Sequence, residues 1–533
     1  MSVVSKSIRD EFALIIFVSI LTFLGGYVRL APALLGNFPI NDGGLFFSMT
    51  KDLIANQFRL PVYATYNHFQ VAFAYPPLAF YLAGGLSTLF NINLIDLFRI
   101  LPALISTLMI PAFFLLARDL AHSGAETLLA VLVFSFLPAS YDWLIMGGGI
   151  TRALGFFFSI LAFWAIQRLY KGSGWLKYGI LTVLFAAMAI LSHPEVALHT
   201  VVGMGVFFLF FGLNLKGMLK SIGSAVGTLV LTAPWWVLVL QRHGLEPFMA
   251  AGRTGGYRLD LWLSYFQLNL TAEIALTFGG CLAVIGIFAK LAKRDYFLPT
   301  WVLVTVLAEP RSAVARMLPC LAILAGFTLT EIVLPWLRQM DTKQDLVKYA
   351  EGSVESLFSG RVARYLLTYL LIYFIVSAYT ITYKEAHNMT LSDGSQKAFG
   401  WINTNLAAGH YFAIITGGQP LSDPVSEWFP ALTQQVSAAT VQGLEWYPGE
   451  DFSNYLLRSY QLQLCSNQDA DCVKNWQIKN DLFFNYIYID KNRIRALQGL
   501  IEGSIFLQKS LLEEKGIEPV YESNDVIILK VNK

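Results

Sequence analysis

The sequence predicts an α-helical polytopic membrane protein of about eleven spans, with an extracytoplasmic α/β domain at its C-terminal end. Three observations predict it. The residues are 55% hydrophobic and only 14% charged, against roughly a quarter charged in soluble domains. Apolar runs of about 20 residues, the length that crosses a bilayer, recur from residue 12 to residue 382. After residue 382 the pattern changes to short strand-like runs separated by Gly-, Pro- and Asn-rich turns.

The spans lie near 12–30, 97–117, 126–140, 152–170, 177–192, 196–213, 219–240, 273–291, 296–309, 312–335 and 363–382. A further apolar segment, YPPLAFYLAGGLSTLF at 75–90, is short for a crossing and suits an interfacial or re-entrant helix. The positive-inside rule arbitrates. With 75–90 left out and Lys6 and Arg9 inside, every inner connection is basic. These connections carry Arg118; Lys171 and Lys177; Lys216 and Lys220; Lys290, Lys293 and Arg294; and Arg338, Lys343, Lys348 and Arg361. Counting 75–90 as a span puts either the N-terminal end or all the later basic loops outside. The sequence therefore reads as a membrane part at 1–382, with a first outer loop at 31–96, and an extracytoplasmic domain at 383–533. The N-terminus is expected in the cytoplasm and the protein in the plasma membrane. The first run is longer than most signal-peptide cores, so a retained span is expected despite APA at 31–33.

In the C-terminal part, FAIITG at 412–417, FNYIYID at 484–490 and DVIILKV at 525–531 read as strands, and KAFGWINTNL at 397–406 as a helix. Cys281 and Cys320 sit inside apolar runs as small core residues. Cys465 and Cys472, close together in a polar region, could form a disulfide if that region is extracytoplasmic. The net charge of +2 indicates no partner by itself, because charge is sorted by position, and no nucleic-acid partner is expected.

This topology gathers polar residues on one side. Asp42 lies at the outer mouth of the first span, and Asp142, in SYDWLIMGGGITR, at the outer end of the third. Arg152 opens the fourth, His193 and Glu195 form SHPE, and Glu309 and Arg311 form EPRS. Arg242 and His243 follow TAPWW at the outer end of the seventh. Each has a bland alternative. Asp42 could N-cap a helix, Asp142 could belong to a tight turn, and SHPE could simply break a helix. Arg311 could snorkel to headgroups, and Trp235 and Trp236 could form an interface belt. No insertion rule requires all the ionisable groups to share a side, and their convergence points to function. A carboxylate there can deprotonate or orient an acceptor hydroxyl. An arginine at headgroup level can hold a lipid phosphate by charge-assisted hydrogen bonds.

NDGGLFF at 41–47, then YPPLAFYLAGGLSTLFNIN, then LFRILPALISTLMIPAFFLLARDL, resembles the GT-C superfamily of membrane glycosyltransferases. That superfamily includes protein O-mannosyltransferases, lipid A aminoarabinose transferases and oligosaccharyltransferase catalytic subunits. The resemblance implies a catalytic acidic residue in the first outer loop, which Asp42 matches. The Pro-Pro-Leu helix and the following Arg-x-x-Pro helix match Tyr75–Leu78 and Arg99–Pro102. LPASYDWLIMGGGITRALG loosely resembles the second acidic motif of oligosaccharyltransferases but lacks its paired acids, and no WWDYG-like segment is present.

The expected activity is transfer of a sugar from a polyprenyl-phosphate donor to an extracytoplasmic acceptor (protein, lipid or glycan), within the lipid membrane. Asp42 is expected as base or acceptor-orienting group, with Arg311, Arg152 and Arg242 as donor phosphate ligands. Asp142, His193, Glu195, Glu309, Tyr75 and His243 are expected to line the site. The residues fix no cofactor; a divalent cation, Mg or Mn, would draw on Asp42, Asp142, His193 and Glu195. The alternative is a non-enzymatic transporter or assembly scaffold for envelope polymers, against which the charge-poor spans and absent repeat speak.

Overall fold

The computed structural model describes the chain except residues 1–2, 173, 255–262, 264, 266–269, 342–351, 448–450, 492–502 and 533. Lys343 and Lys348, expected in an inner connection, therefore lie outside the described residues.

Each expected span carries a helix. These are α1 (Val3–Leu35), α4 (Leu94–Leu120), α5 (Gly124–Phe136), α6 (Gly149–Lys171), α7 (Trp175–Ile190) and α8 (Pro194–Gly212). They continue as α9 (Leu215–His243), α11 (Phe278–Ala292), α12 (Phe297–Ala308), α13 (Ala313–Arg338) and α14 (Arg361–Asn388). Among the described residues, seven of these are long and apolar enough to cross a membrane alone. An eighth crossing arises if α5 and the turn Pro138–Leu144 count as one span, bent by 86°. The bend has a local cause: Pro138 cannot continue the helix, so α5 stops at Phe136 inside the expected run 126–140. α7, α11 and α12 are shorter apolar helices. α11 starts at Phe278, because the Glu273 carboxylate takes the Gly279 amide at 3.1 Å and so caps its first turn.

The first loop folds onto the helices and holds a short antiparallel pair, β1 (Tyr63–Ala64) and β2 (Val71–Ala72). α2 (Gly44–Ala55) buries Leu45, Phe47, Met49 and Leu53 and exposes Lys51. The segment at 75–90 becomes α3 (Leu78–Phe90), 13 residues long. α1 packs on α4, α5 and α14, and α6 on α4, α7 and α8.

The boundary expected at 382 falls inside α14, which runs to Asn388. Beyond it, a five-stranded sheet has the order β4-β3-β5-β7-β6. It comprises β3 (Tyr411–Ile415), β4 (Val436–Ser437), β5 (Tyr486–Asp490), β6 (Ile517–Glu522) and β7 (Val526–Val531). β4, β3 and β5 are parallel, and β7 is antiparallel to both its neighbours. Strand alternation serves two cores. Phe412, Ile414, Tyr486 and Tyr488 join the core that continues into the helical part. Ala413, Ile415, Ile487 and Ile489 face a separate core with Leu462, Trp476 and Leu507. The α/β domain is thus fused to the helical part through one sheet face. Cys465 and Cys472 are disulfide-bonded, with Cα atoms 5.6 Å apart.

Candidate functional site

Asp42 sits in a cradle made by two glycine-rich turns. Gly43 has φ +133°, which a residue with a side chain rarely adopts. The amides of Gly147 and Gly148 donate to the carbonyls of Ile40 (2.8 Å) and Asp42 (2.9 Å). A Cβ on Gly147 or Gly148 would collide with Asp42 itself. That close approach accounts for both NDGG and MGGG in the sequence. The Asp42 carboxylate then meets the start of α6. Gly148 donates to Oδ1 at 3.1 Å, and Arg152 donates from Nη1 to Oδ2 at 2.8 Å and from Nη2 to Oδ1 at 3.0 Å. A bidentate guanidinium at a helix N-terminus is a strong environment for a carboxylate.

A second cluster forms where α8 and α13 begin. Glu195, in the first turn of α8, is paired with Arg311. Glu309 accepts from the Arg311 amide (2.9 Å) and from the Ser312 amide (2.8 Å) and hydroxyl (2.6 Å), with His199 Nε2 at 3.8 Å. Burial pushes the Glu309 carboxyl up, but nearby His199, the Ser312 hydrogen bonds and the Arg311 charge together outweigh it and hold it at about 2. His193 caps α8 through Nδ1. Burial, then the charges of Arg316, Arg152 and Arg311, hold its imidazole well below the ordinary value, so it is neutral.

Tyr75 joins the clusters. Its hydroxyl lies 3.3 Å from Thr151 Oγ1 and its ring packs on His193, with centroids 6.0 Å apart. Arg152, Glu195 and Asp42 all act on its phenol, which burial above all raises.

Asp42, Arg152, Tyr75, His193, Glu195, Glu309 and Arg311 therefore converge. Asp142 stands at the edge, near enough to Arg152 for their charges to interact, while its Oδ1 accepts from the Trp143 amide at 2.7 Å. Arg242 and His243 do not join. Arg242 donates to the carbonyls of Leu60 (2.8 Å) and Pro61 (2.9 Å), and His243 packs on Tyr63. They pin the first loop rather than face Asp42. Among the described residues no three His, Cys, Asp or Glu side chains are placed to hold a metal ion. Both Asp42 oxygens are engaged by Arg152, so the expected set of Asp42, Asp142, His193 and Glu195 does not fit a cation in this geometry.

Sequence reasoning missed two groups. Arg316, near the start of α13, is 4% exposed, and among the described residues its Nε and Nη1 have no hydrogen-bond partner. Its guanidinium lies over Phe156 at 4.8 Å, with Glu195, Arg152, Glu309 and Tyr75 as electrostatic neighbours. The signal was a single charge one turn inside an apolar run. The other group comes from the α/β domain: Trp446 packs on Tyr75 at 5.4 Å, and Glu427 accepts from the amides of Gly43 and Leu45, just after Asp42. Nothing local in the sequence announces these long-range contacts. The net result is a buried region where α6, α8 and α13 all present their N-terminal ends, and where Arg152 and Arg311 are ion-paired while Arg316, among the described residues, is not. Helix N-termini and an unpaired guanidinium together favour an anion.

No protein-family model and no curated protein sequence matches the chain. Solved structures do. The oligosaccharyltransferase AglB from Archaeoglobus fulgidus, in complex with an inhibitory peptide and a dolichol-phosphate, superposes with TM-score 0.58 at 10% identity, over 90% of this chain and 69% of that one. ArnT from Cupriavidus metallidurans bound to undecaprenyl phosphate gives 0.53 at 15% identity, over 97% of both chains. The mycobacterial arabinofuranosyltransferase AftD gives 0.51 at 12% identity, over 98% of this chain and 40% of that one. All three are GT-C glycosyltransferases. This integral membrane protein has the GT-C glycosyltransferase fold.

Proposed function

We propose that the chain is a membrane glycosyltransferase that moves a sugar from a polyprenyl-phosphate donor to an extracytoplasmic acceptor at the Asp42–Arg316 site. The observation that carries this reading is the buried guanidinium of Arg316, unpaired among the described residues, with Arg152, the partner of Asp42, among its electrostatic neighbours. A buried arginine without an anion is costly, and a lipid phosphate offsets that cost. Arg316 is thus a better donor ligand than Arg242, whose hydrogen bonds are spent on Leu60 and Pro61. Arg311, paired with Glu195, contributes at the edge.

In the transfer, the bond between the anomeric carbon and the donor phosphate oxygen breaks as an acceptor hydroxyl or amide bonds to that carbon. The acceptor proton passes to the Asp42 carboxylate, and polyprenyl phosphate leaves against Arg316. Arg152 keeps Asp42 aimed through its two hydrogen bonds. Trp446 and Tyr75 wall the acceptor side. No step runs through a metal ion.

The same reading keeps eleven crossings, with the N-terminus in the cytoplasm and the α/β domain outside, in the plasma membrane. The basic connections support it, as does the Cys465–Cys472 disulfide, which belongs to an oxidising compartment. Gly172→Cys and Lys479→Cys, in a background without Cys281 and Cys320, test the sidedness. An impermeant thiol reagent on intact cells labels position 479 and spares 172; the reverse sinks this orientation.

For the activity, lipids that copurify in mild detergent are identified by mass spectrometry. Wild type and Asp42→Asn retain prenyl phosphate or its glycosylated form, and Arg316→Ala loses it. If no prenyl lipid appears in any sample, the donor assignment fails and a transport or scaffold role takes its place.

A further inference from the structure

The α/β domain reaches the Asp42 loop through one carboxyl group. Glu427 lies in the first turn of the helix Pro424–Thr433 and is 2% exposed. Its Oε1 accepts from the amides of Gly43 (3.3 Å) and Leu45 (3.2 Å). Among the described residues its buried Oε2 has no partner. The same helix holds the neighbouring backbone: the Trp428 indole donates to the Asn41 carbonyl at 2.8 Å, and the Tyr66 hydroxyl to the Glu427 carbonyl at 2.7 Å. Residues 41, 43 and 45 are therefore all tied to this helix, with Asp42 between them.

The titratable groups that face Glu427 are the Asp42 and Glu445 carboxyls and the Tyr66 phenol. No ion pair to Glu427 exists among the described residues. A carboxylate here would bury a second negative charge beside Asp42 with no ion pair among the described residues, and a neutral carboxyl removes that charge. Burial, then Asp42, pushes Glu427 up to about 8 against the pull of its two backbone hydrogen bonds.

We propose that Glu427 is a positioning residue: its neutral carboxyl fixes the backbone around Asp42 and ties the docking of the α/β domain to the aim of that carboxylate. Loss of its proton loosens the loop, so the site is set below this transition and relaxed above it. The functional meaning rests on the transferase reading above; the structural coupling does not.

The test is hydrogen–deuterium exchange of a peptide covering Asn41–Asp52 in the intact, detergent-solubilised protein. Wild type, Glu427→Gln and Glu427→Ala are compared across the pH range that brackets the transition, with rates corrected for intrinsic exchange. Wild-type protection at this peptide falls about tenfold or more as Glu427 ionises, while Glu427→Gln, which cannot ionise, stays protected throughout. Glu427→Ala is unprotected at every pH. Protection in wild type that does not change with pH overturns the proposal, as does Glu427→Gln behaving like Glu427→Ala. Size-exclusion and melting profiles of each variant separate local loosening from unfolding. Prenyl lipid recovered from none of the variants, with the exchange pattern intact, would remove the transferase reading and leave the coupling standing.

Discussion

Arg152 grips both carboxylate oxygens of Asp42, at 2.8 and 3.0 Å, from a position 110 residues away in sequence. Both side chains are largely buried, 15% and 18% exposed. The pair fastens the first loop to the start of α6, so it carries structure as well as chemistry. Breaking it from either side leaves a charge without its partner, and Arg152→Ala should cost about 2–3 kcal/mol. Asp42→Asn combined with Arg152→Ala should cost less than the sum of the two single changes. A double-mutant cycle on thermal unfolding checks this; strict additivity would show that the two side chains do not interact.

The glycine cradle makes a sharper steric prediction. Gly148→Ala drives a methyl into the Asp42 carboxylate and should destabilise by about 1–3 kcal/mol, the usual cost of overpacking. Gly85→Ala is the control. A Cβ there meets nothing within 4 Å, and it lies inside α3, so alanine should be neutral or raise stability by up to about 1 kcal/mol. Equal melting shifts for both variants would show that the cradle does not constrain Asp42.

Glu309 gives a pH signature with a fixed sign. Its carboxyl is held at about 2, below the ordinary value of 4.5. A depressed acid contributes stability that is present above its unfolded value and is lost as pH falls through its folded value. Wild type should therefore melt higher than Glu309→Gln at neutral pH, with the gap closing from about 4.5 down to about 2. Melting curves over that range decide it, and a gap that widens in acid contradicts the assignment.

Much of the site was legible because membrane insertion leaves few reasons for charge. With the basic connections expected on one side, Asp42, Arg152, Glu195, Glu309 and Arg311 were expected to share the other end of the bundle, and the structure pairs Asp42 with Arg152 and both Glu195 and Glu309 with Arg311. Arg242 and His243 shared that end but not the site, because the last turn of α9 faces the first loop at Leu60 and Pro61. Sidedness fixes depth, and it leaves the direction around the bundle open. Span lengths were less legible. Apolarity marks each helix, but caps and prolines cut them, as Glu273 does for α11 and Pro138 for α5. Glu427 was beyond reach, since its hydrogen bond to Gly43 joins residues 384 apart.

Arg316 separates function from stability most directly. A guanidinium 4% exposed, with two nitrogens unpartnered and no ion pair among the described residues, lowers the stability of the ligand-free protein. Arg316→Met keeps most of the apolar contact with Phe156 and removes the charge. In lipid-stripped protein the variant should be more stable than wild type by about 1–2 kcal/mol. Added prenyl phosphate should raise the melting temperature of wild type and leave the variant unmoved, because only wild type gains binding energy from the anion. A variant less stable than wild type before lipid is added would make Arg316 a structural residue. In that case its unpaired nitrogens would need another explanation than a phosphate.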